Sequence, residues 1–278
     1  MRCLVLGGNR FFGRHVVAEL LRRDAEVTLM YRGNIPDPFG DRLQRVIGDR
    51  HVDLDRVAGP WDVVFDQIGF DAESARTLLA KVQAERWVFT SSQSVYGWGA
   101  NLQEAAFEPT THHWVADVPT AVDYAEGKRQ AEAVMSRVDA LIVRPPIVFG
   151  DDDPTKRLQW HIRHIVEKIP FFCPDPHARI GFADASELGT TIARLGLSHA
   201  QGPVNVAAAG AISLTELFAR IAKIHGGKAV YLDSPEPSHE SPFGIEQDWF
   251  MSVDRLTALD RAPRPLLDWL DGRIAATR

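Results

Sequence analysis

Two cysteines in 278 residues, Cys3 and Cys173, are too few for a disulfide framework and lack the spacing of a zinc cluster. Both read as free thiols of a reducing compartment. No run of five or more basic residues occurs, and a net charge of −6 gives no electrostatic footprint for nucleic acid. Apolar runs stop at strand length, so no membrane span or membrane partner is predicted. A charged leader with a cleavage site is also missing, which points to a soluble, cytoplasmic protein. Fixed-period repeats, low-complexity tracts and flexible linkers are absent too.

What is present starts at residue 2. Residues 2–13, Arg-Cys-Leu-Val-Leu-Gly-Gly-Asn-Arg-Phe-Phe-Gly, run a short apolar strand into a glycine-bracketed turn and then a helix. Gly7 and Gly8 suit a tight reversal with φ > 0 and close approach of a phosphate, and Gly13 lets the helix pack on the strand. Backbone N–H groups at the helix start then face an anion. A glycine turn also occurs for structural reasons alone, so its place in a larger pattern decides its meaning.

That pattern is an alternation of apolar, strand-like runs with amphipathic helices, the signature of a parallel sheet covered on both faces. Strands are predicted at 2–7, 26–31, 44–48, 62–66, 86–91 and 140–144, and helices at 12–23, 71–84 and 123–138. In the first helix Val16, Val17, Leu20 and Leu21 form the buried stripe. Beyond residue 145 proline density rises through Pro145-Pro146, Pro154 and Pro174-Asp175-Pro176. Helices at 155–168, 185–197 and 214–225 and strands at 179–182, 203–206 and 228–231 are predicted there. The expected architecture is α/β, a Rossmann-type doubly wound parallel sheet over 1–150 with a smaller C-terminal substrate lobe over 151–278. Some core elements return from the second half, and the cleft lies between the two at the carboxyl edge of the sheet.

A second constellation carries chemistry. Thr90-Ser91-Ser92-Gln93-Ser94-Val95-Tyr96-Gly97 ends the fifth strand, and Tyr124-Ala125-Glu126-Gly127-Lys128 opens a helix. Tyrosine and lysine at i and i+4 share one helical face, so an ammonium near the phenol favours the phenolate. Bringing a tyrosine from its usual pKa into a working range takes about 4 kcal/mol. With four tyrosines in the chain, chance supplies about 0.1 such pairs. A solvated helix pair is the competing reading, but the serine cluster and the loop before Tyr124 bring three groups to one edge.

The glycine turn, Ser-Ser-x-x-Val-Tyr-Gly, Tyr-x-x-x-Lys and Arg144-Pro145-Pro146-x-Val148-Phe149-Gly150 occur in the order found in extended or atypical short-chain dehydrogenases/reductases, the group with the nucleotide-sugar epimerases and dehydratases. The chain resembles that family over nearly its whole length. The resemblance implies Ser92 as the hydroxyl holding the substrate oxygen, Tyr124 as general acid/base, and Lys128 as the group that holds the nicotinamide ribose and lowers the tyrosine pKa. It places the cofactor along Gly7, Asn9, Arg10, Phe11, Phe12, Gly13, Tyr31, Arg32, Asp49, Gln67, Ile68, Lys128, Pro145 and Ile147. Tyr96 reads as a packing residue or pocket wall, and Ser91 and Ser94 as strand-end and turn residues. A helix-mediated homodimer is compatible with the family.

Departures from the family pattern carry information as well. Arg10 stands where a middle glycine is usual, and Tyr31-Arg32 replaces the acid at the end of the second strand. An acid would accept from the ribose 2′-OH, whereas arginine forks onto a 2′-phosphate. The expected cofactor is therefore NADP(H), with NAD(H) as the alternative; the competing reading has Arg32 capping the strand in solvent and Arg10 in a salt bridge. Gln93 and Ser94 stand where dehydratases carry an acidic pair, which argues against a dehydratase. The short second lobe favours a reductase over an epimerase.

Candidate substrate walls are Trp98, Arg157 and Trp160, with His112, His113 and Trp114 in the loop at 98–122. Arg157 faces either an anionic substrate group or Asp152 and Asp153. No metal is expected, since His112-His113 lacks accompanying ligands, and His161 and His164 read as surface or interface residues. The expected function is hydride transfer to or from a carbonyl or secondary alcohol of a small, sugar-like molecule. A non-catalytic, cofactor-binding regulator or RNA-associated protein on the same fold is the alternative.

Overall fold

The structure is a computed structural model and describes residues 1–113 and 123–277. In chain order its elements are β1 (Arg2–Leu6), α1 (Phe11–Arg22), β2 (Glu26–Tyr31), β3 (Gln44–Ile47), β4 (Trp61–Asp66), α2 (Ala72–Lys81), β5 (Ala84–Thr90), β6 (Gly99–Leu102), α3 (Tyr124–Met135) and β7 (Ala140–Arg144). There follow β8 (Ile147–Phe149), α4 (Arg157–Glu167), β9 (Arg179–Ile180), β10 (Phe182–Asp184), α5 (Ala185–Gly196), β11 (Gly202–Asn205), β12 (Ile212–Ser213), α6 (Leu214–His225), β13 (Trp249–Met251), α7 (Asp254–Leu259) and α8 (Leu267–Ala276). No described helix is long and apolar enough to cross a membrane.

A seven-stranded sheet runs β3-β2-β1-β4-β5-β7-β11, parallel throughout. Its central strands are apolar on both faces, as burial under helices on each side requires. On one face Val16, Val17 and Leu20 of α1 and Leu188 and Ile192 of α5 pack against Val5, Val27 and Phe65. On the other, Ala75 and Leu78 of α2 and Ala131 and Val134 of α3 meet Leu4, Val64 and Phe89. Leu21 is only partly buried at the edge of the first layer. The strand order turns at β1 and β4, and there the loops diverge to leave a crevice.

A separate apolar cluster gathers Phe149, Phe171, Phe182, Phe218 and Trp269 under a four-stranded sheet, β12-β9-β13-β6, and the pair β10-β8. The expected strand at 179–182 is two, β9 and β10, separated at Gly181, each pairing with a different sheet. Residues 228–231 form no strand; only Tyr231 bridges to Phe171. The helix expected over 123–138 ends at Met135, that over 71–84 ends at Lys81, and that over 155–168 begins at Arg157 after Lys156 in the left-handed region at φ 52.

Candidate active site

The glycine turn does what its composition asks, with one reassignment. Gly7 sits at φ +83 and its N–H donates to Met30 O at 3.1 Å. Gly8 is not in the left-handed region; a Cβ there would lie 2.6 Å from Val17 Cγ2 and 2.8 Å from Val5 Cγ1, so it serves helix-on-strand packing. A Cβ on Gly13 would come within 2.6 Å of Gly7 O, which keeps α1 tight on the turn. Helices α2, α5 and α6 are each capped by a side chain, whereas α1 follows the extended Arg10 with no side-chain cap and no acid in its first turn. Its first N–H groups are left for an anion.

Beside this turn lies a cavity of about 410 Å³ lined by Gly7, Asn9, Arg10, Tyr31, Arg32, Asp49 and Ile68, among others. Asn9 Nδ2 donates to Ile35 O at 3.0 Å and ties the turn to the loop after β2. The side chains of Arg10 and Arg32 have no hydrogen-bond or acidic partner among the described residues, so the salt bridge considered for Arg10 does not form. The Tyr31 hydroxyl is committed instead, donating to Asp37 Oδ2 at 2.9 Å. Arg45 takes both oxygens of that carboxylate at 2.7 Å and holds it down to about 2. Asp49 Oδ1 accepts from His51 N at 2.9 Å, and the buried Arg50 pairs with Asp66 at 2.6 Å.

A second cavity of about 460 Å³ holds the expected catalytic groups Ser92, Tyr124 and Lys128 together with Phe11, Phe12, Gln67, Pro145, Ile147, Trp98 and Arg157. The chain passes from one cavity to the other at Arg10–Phe11 and at Gln67–Ile68. Ser92 lies two residues past the end of β5 in extended backbone; its Oγ lies 3.1 Å from Ser94 Oγ and accepts from Ser94 N at 3.1 Å. Tyr124 is the first residue of α3, capped by Asp123, whose Oδ1 accepts from Glu126 N at 2.8 Å. Desolvation holds the Tyr124 phenol above the usual range, against a hydrogen bond with Ser92 and the charge of Arg157, which both lower it.

Lys128 does not meet the phenol in the way the i, i+4 spacing suggests. Its ammonium donates to Gly69 O at 2.6 Å and Thr90 O at 2.8 Å and lies 5.9 Å from the Tyr124 ring centroid. Burial pulls its pKa down to about 8, opposed by the carboxylates of Asp66 and Glu132. An ammonium has three donors, so one remains for a ligand oxygen.

Behind these residues Arg144, fully buried, joins α3 to the loops of the site. It pairs with Glu132 of α3 at 2.5 Å and donates to Tyr96 Oη at 2.8 Å, Glu104 O at 2.9 Å and Phe107 O at 3.0 Å. Tyr96 in turn donates to Asn205 Oδ1 at 2.7 Å, and burial raises its pKa to about 12. Tyr96 is thus a packing residue of the core.

Several expected residues lie elsewhere. Trp160 does not line the catalytic cavity; it stacks on His164 with centroids 3.5 Å apart and lines an outer groove with Arg157 and Arg163. His161 and His164 are not surface residues. His161 is fully buried, stacked on Phe243 at 4.2 Å and pushed down to about 3 by that burial. His112 binds Glu126 at 3.0 Å rather than facing the cavity, and Trp114 lies outside the described residues. Arg157 has no acidic partner among the described residues, and Asp152 pairs with Arg14 at 2.6 Å. Sequence reasoning missed the wall formed by Pro242, Phe243, Gly244, Ile245 and Trp249. Only the Pro-x-Gly turn marks it, and Trp249 is placed by pairing within a three-residue strand.

No protein-family model matches the chain. A curated relative, the chloroplast stem-loop binding protein of 41 kDa b from Arabidopsis thaliana, is 25% identical over 203 residues, covering 64% of this chain and 50% of that one. The chain thus spans about half the length of that relative. Among solved structures, the UDP-N-acetylglucosamine 4-epimerase of Methanobrevibacter ruminantium M1 in complex with UDP-N-acetylmuramic acid superposes with a TM-score of 0.75 at 18% identity, covering 99% of this chain and 96% of that one. The UDP-glucuronic acid 4-epimerase of Bacillus cereus in complex with UDP-glucuronic acid and NAD gives 0.74 at 18% identity, covering 99% and 98%. The chain has the fold of these epimerases. Such coverage also removes the argument that the second lobe is too small for an epimerase.

Proposed function

We propose that this protein is an NADP(H)-dependent enzyme of the epimerase and reductase type, which oxidises or reduces a secondary alcohol or ketone on a sugar-like, nucleotide-linked substrate. The observation that carries the reading is the meeting of Ser92, Tyr124 and Lys128 on one cavity that adjoins the glycine turn. The residues fit a dinucleotide: α1 has an uncapped N-terminus, Gln67 Nε2 is a buried donor without a partner, and Lys128 keeps one free donor. When bound, the nicotinamide supplies or accepts the hydride. Residues 151–278 supply the substrate side through Arg157 and the 242–249 wall.

Ser92 and Tyr124 hold the substrate oxygen, and Tyr124 Oη gives or takes its proton. The raised phenol pKa suits proton donation to a ketone oxygen; the reverse direction needs the extra positive charge that an oxidised nicotinamide brings. NADP(H) is favoured because the side chains of Arg10 in the glycine turn and Arg32 at the β2 end have no partner among the described residues and the Asp37 carboxylate is spent on Arg45. The solved relatives in complex with NAD make NAD(H) the comparison to beat. Incubation with UDP-glucose, UDP-glucuronic acid and their 4-keto forms, followed by product analysis and NADPH absorbance, tests the reading. Tyr124→Phe should cut turnover by about 10³-fold with cofactor binding kept; unchanged turnover refutes the assignment. Net NADPH consumption identifies a reductase, and its absence with product formed an epimerase.

The plant relative's name supports a second reading, nucleic-acid binding. A net charge of −6 weighs against it, and a salt titration with a stem-loop RNA decides.

A further inference from the structure

The turn between β4 and α2, residues 67–70, touches each part of the candidate site. Gln67 lines the catalytic cavity and Ile68 the one beside the glycine turn. Ile68 Cγ2 fills the space that a Cβ on Gly7 would need. Gly69 O accepts from Lys128 Nζ at 2.6 Å, and the Phe70 ring lies 5.7 Å from that of Tyr124. Whatever fixes this turn therefore fixes the surroundings of Gly7, Lys128 and Tyr124 together.

A buried ion pair fixes it. Asp66 Oδ1 accepts from Ile68 N at 3.1 Å and Gly69 N at 2.8 Å, and takes Arg50 Nη1 at 2.6 Å. Arg50 Nη2 donates to Ser74 O at 3.1 Å, while Ser74 Oγ accepts from Phe70 N at 3.1 Å, so both ends of the turn hang on one cluster. The Arg50 and Asp66 side chains are 5% and 1% exposed. Such a pair costs desolvation on both partners and adds little net stability over an apolar pair of the same size. What it adds here is placement and charge.

The charge reaches Lys128. Facing that ammonium are Asp66 from β4, Asp71 ahead of α2, Glu132 and the Tyr124 ring from α3, and Arg50; the three carboxylates favour its protonated form, while burial and Arg50 oppose it. An ammonium has three N–H donors and a neutral amine two. Gly69 O and Thr90 O already take two, so the donor left for a ligand oxygen exists only while Lys128 is protonated.

Resting on the functional reading above, we infer that Arg50 and Asp66 are positioning residues for the cofactor: through the 67–70 turn they hold Ile68, Gly69 O and Lys128 in place, and the Asp66 carboxylate keeps the third Lys128 donor available. Both act through other groups and take no part in proton transfer.

The test is NADPH binding, read by nicotinamide fluorescence between about pH 6 and 9, with thermal unfolding as the check that each variant is folded. Asp66→Asn keeps an acceptor for the two backbone N–H groups and removes the charge. It should weaken NADPH about tenfold at about pH 8 and regain most of that loss at about pH 6, where Lys128 is protonated in both proteins. On a Lys128→Met background the same substitution should change affinity by less than about twofold. Arg50→Gln keeps a donor for Asp66 but removes the opposing charge; it should move the fall in affinity to higher pH, and it carries the test if Asp66→Asn does not fold. A loss that is the same at every pH, or one that persists in full without Lys128, overturns the inference and leaves the pair a packing element. If wild type binds neither NADPH nor NADH, the cofactor reading fails and this assignment falls with it; wild-type binding with unshifted variants rejects this assignment alone.

Discussion

The two cavities on the carboxyl edge of the sheet are built on opposite principles. The one beside the glycine turn is made largely of backbone and of Arg10 and Arg32, whose side chains have no partner among the described residues, which suits a ligand that brings negative charge. The catalytic one is made of side chains already held in place, Lys128 by two main-chain carbonyls and Gln93 by the main-chain carbonyl of Trp249, with the Arg144–Glu132 pair behind them. One end is chemically open, the other preorganised. On the proposed function, the preorganised groups would hold the reacting geometry before substrate arrives, and the open charges would select the cofactor.

The contrast breaks most visibly at Glu132. Glu132→Ala leaves Arg144 buried without its carboxylate, and denaturant unfolding should show a loss of about 3–5 kcal/mol. An unchanged midpoint would mean that the catalytic end is not preorganised by this pair. A smaller effect is expected at Lys128, whose pKa is about 8 in the fold against an ordinary value of 10.5. Between those values the unfolded chain holds a proton that the folded one has released, so stability rises with pH across that window. Relative to Lys128→Met, the wild type should gain thermal stability from pH 8 to 10; parallel profiles contradict the buried-ammonium picture. The smallest effect belongs to the open end. Arg32→Ala should leave stability alone and weaken NADPH about tenfold relative to NADH, by fluorescence titration. Equal losses for both cofactors would show that Arg32 reads no 2′-phosphate.

The same contrast explains what was legible in the chain. The open end was readable because a tight turn dictates residue types at fixed spacing, and Gly7 and Gly13 answer that demand. Gly8 was misread, since its space is set by Val5 and Val17, which only the fold brings together. Tyr124 and Lys128 were visible as a pair, but the direction of Lys128 depends on the carbonyls of Gly69 and Thr90, far away in sequence. Trp160 and His161 looked like a substrate wall and a surface residue because aromatic and polar types on a helix do not reveal which face is covered. The 242–249 wall carried almost no signal, since its short strand exists only through pairing with β6 and β9.

Strand β11 gives the sheet a temporal order. β7 pairs with β5 on one side and with β11 on the other, and β11 spans residues 202–205. A chain emerging from the ribosome therefore carries β7 as an open edge until more than two hundred residues have been made. Helix α5, which shares a layer with the glycine-turn helix α1, arrives only just before it. The helix that opens on the glycine turn is thus covered on its α5 side only once residues 185–196 have been made.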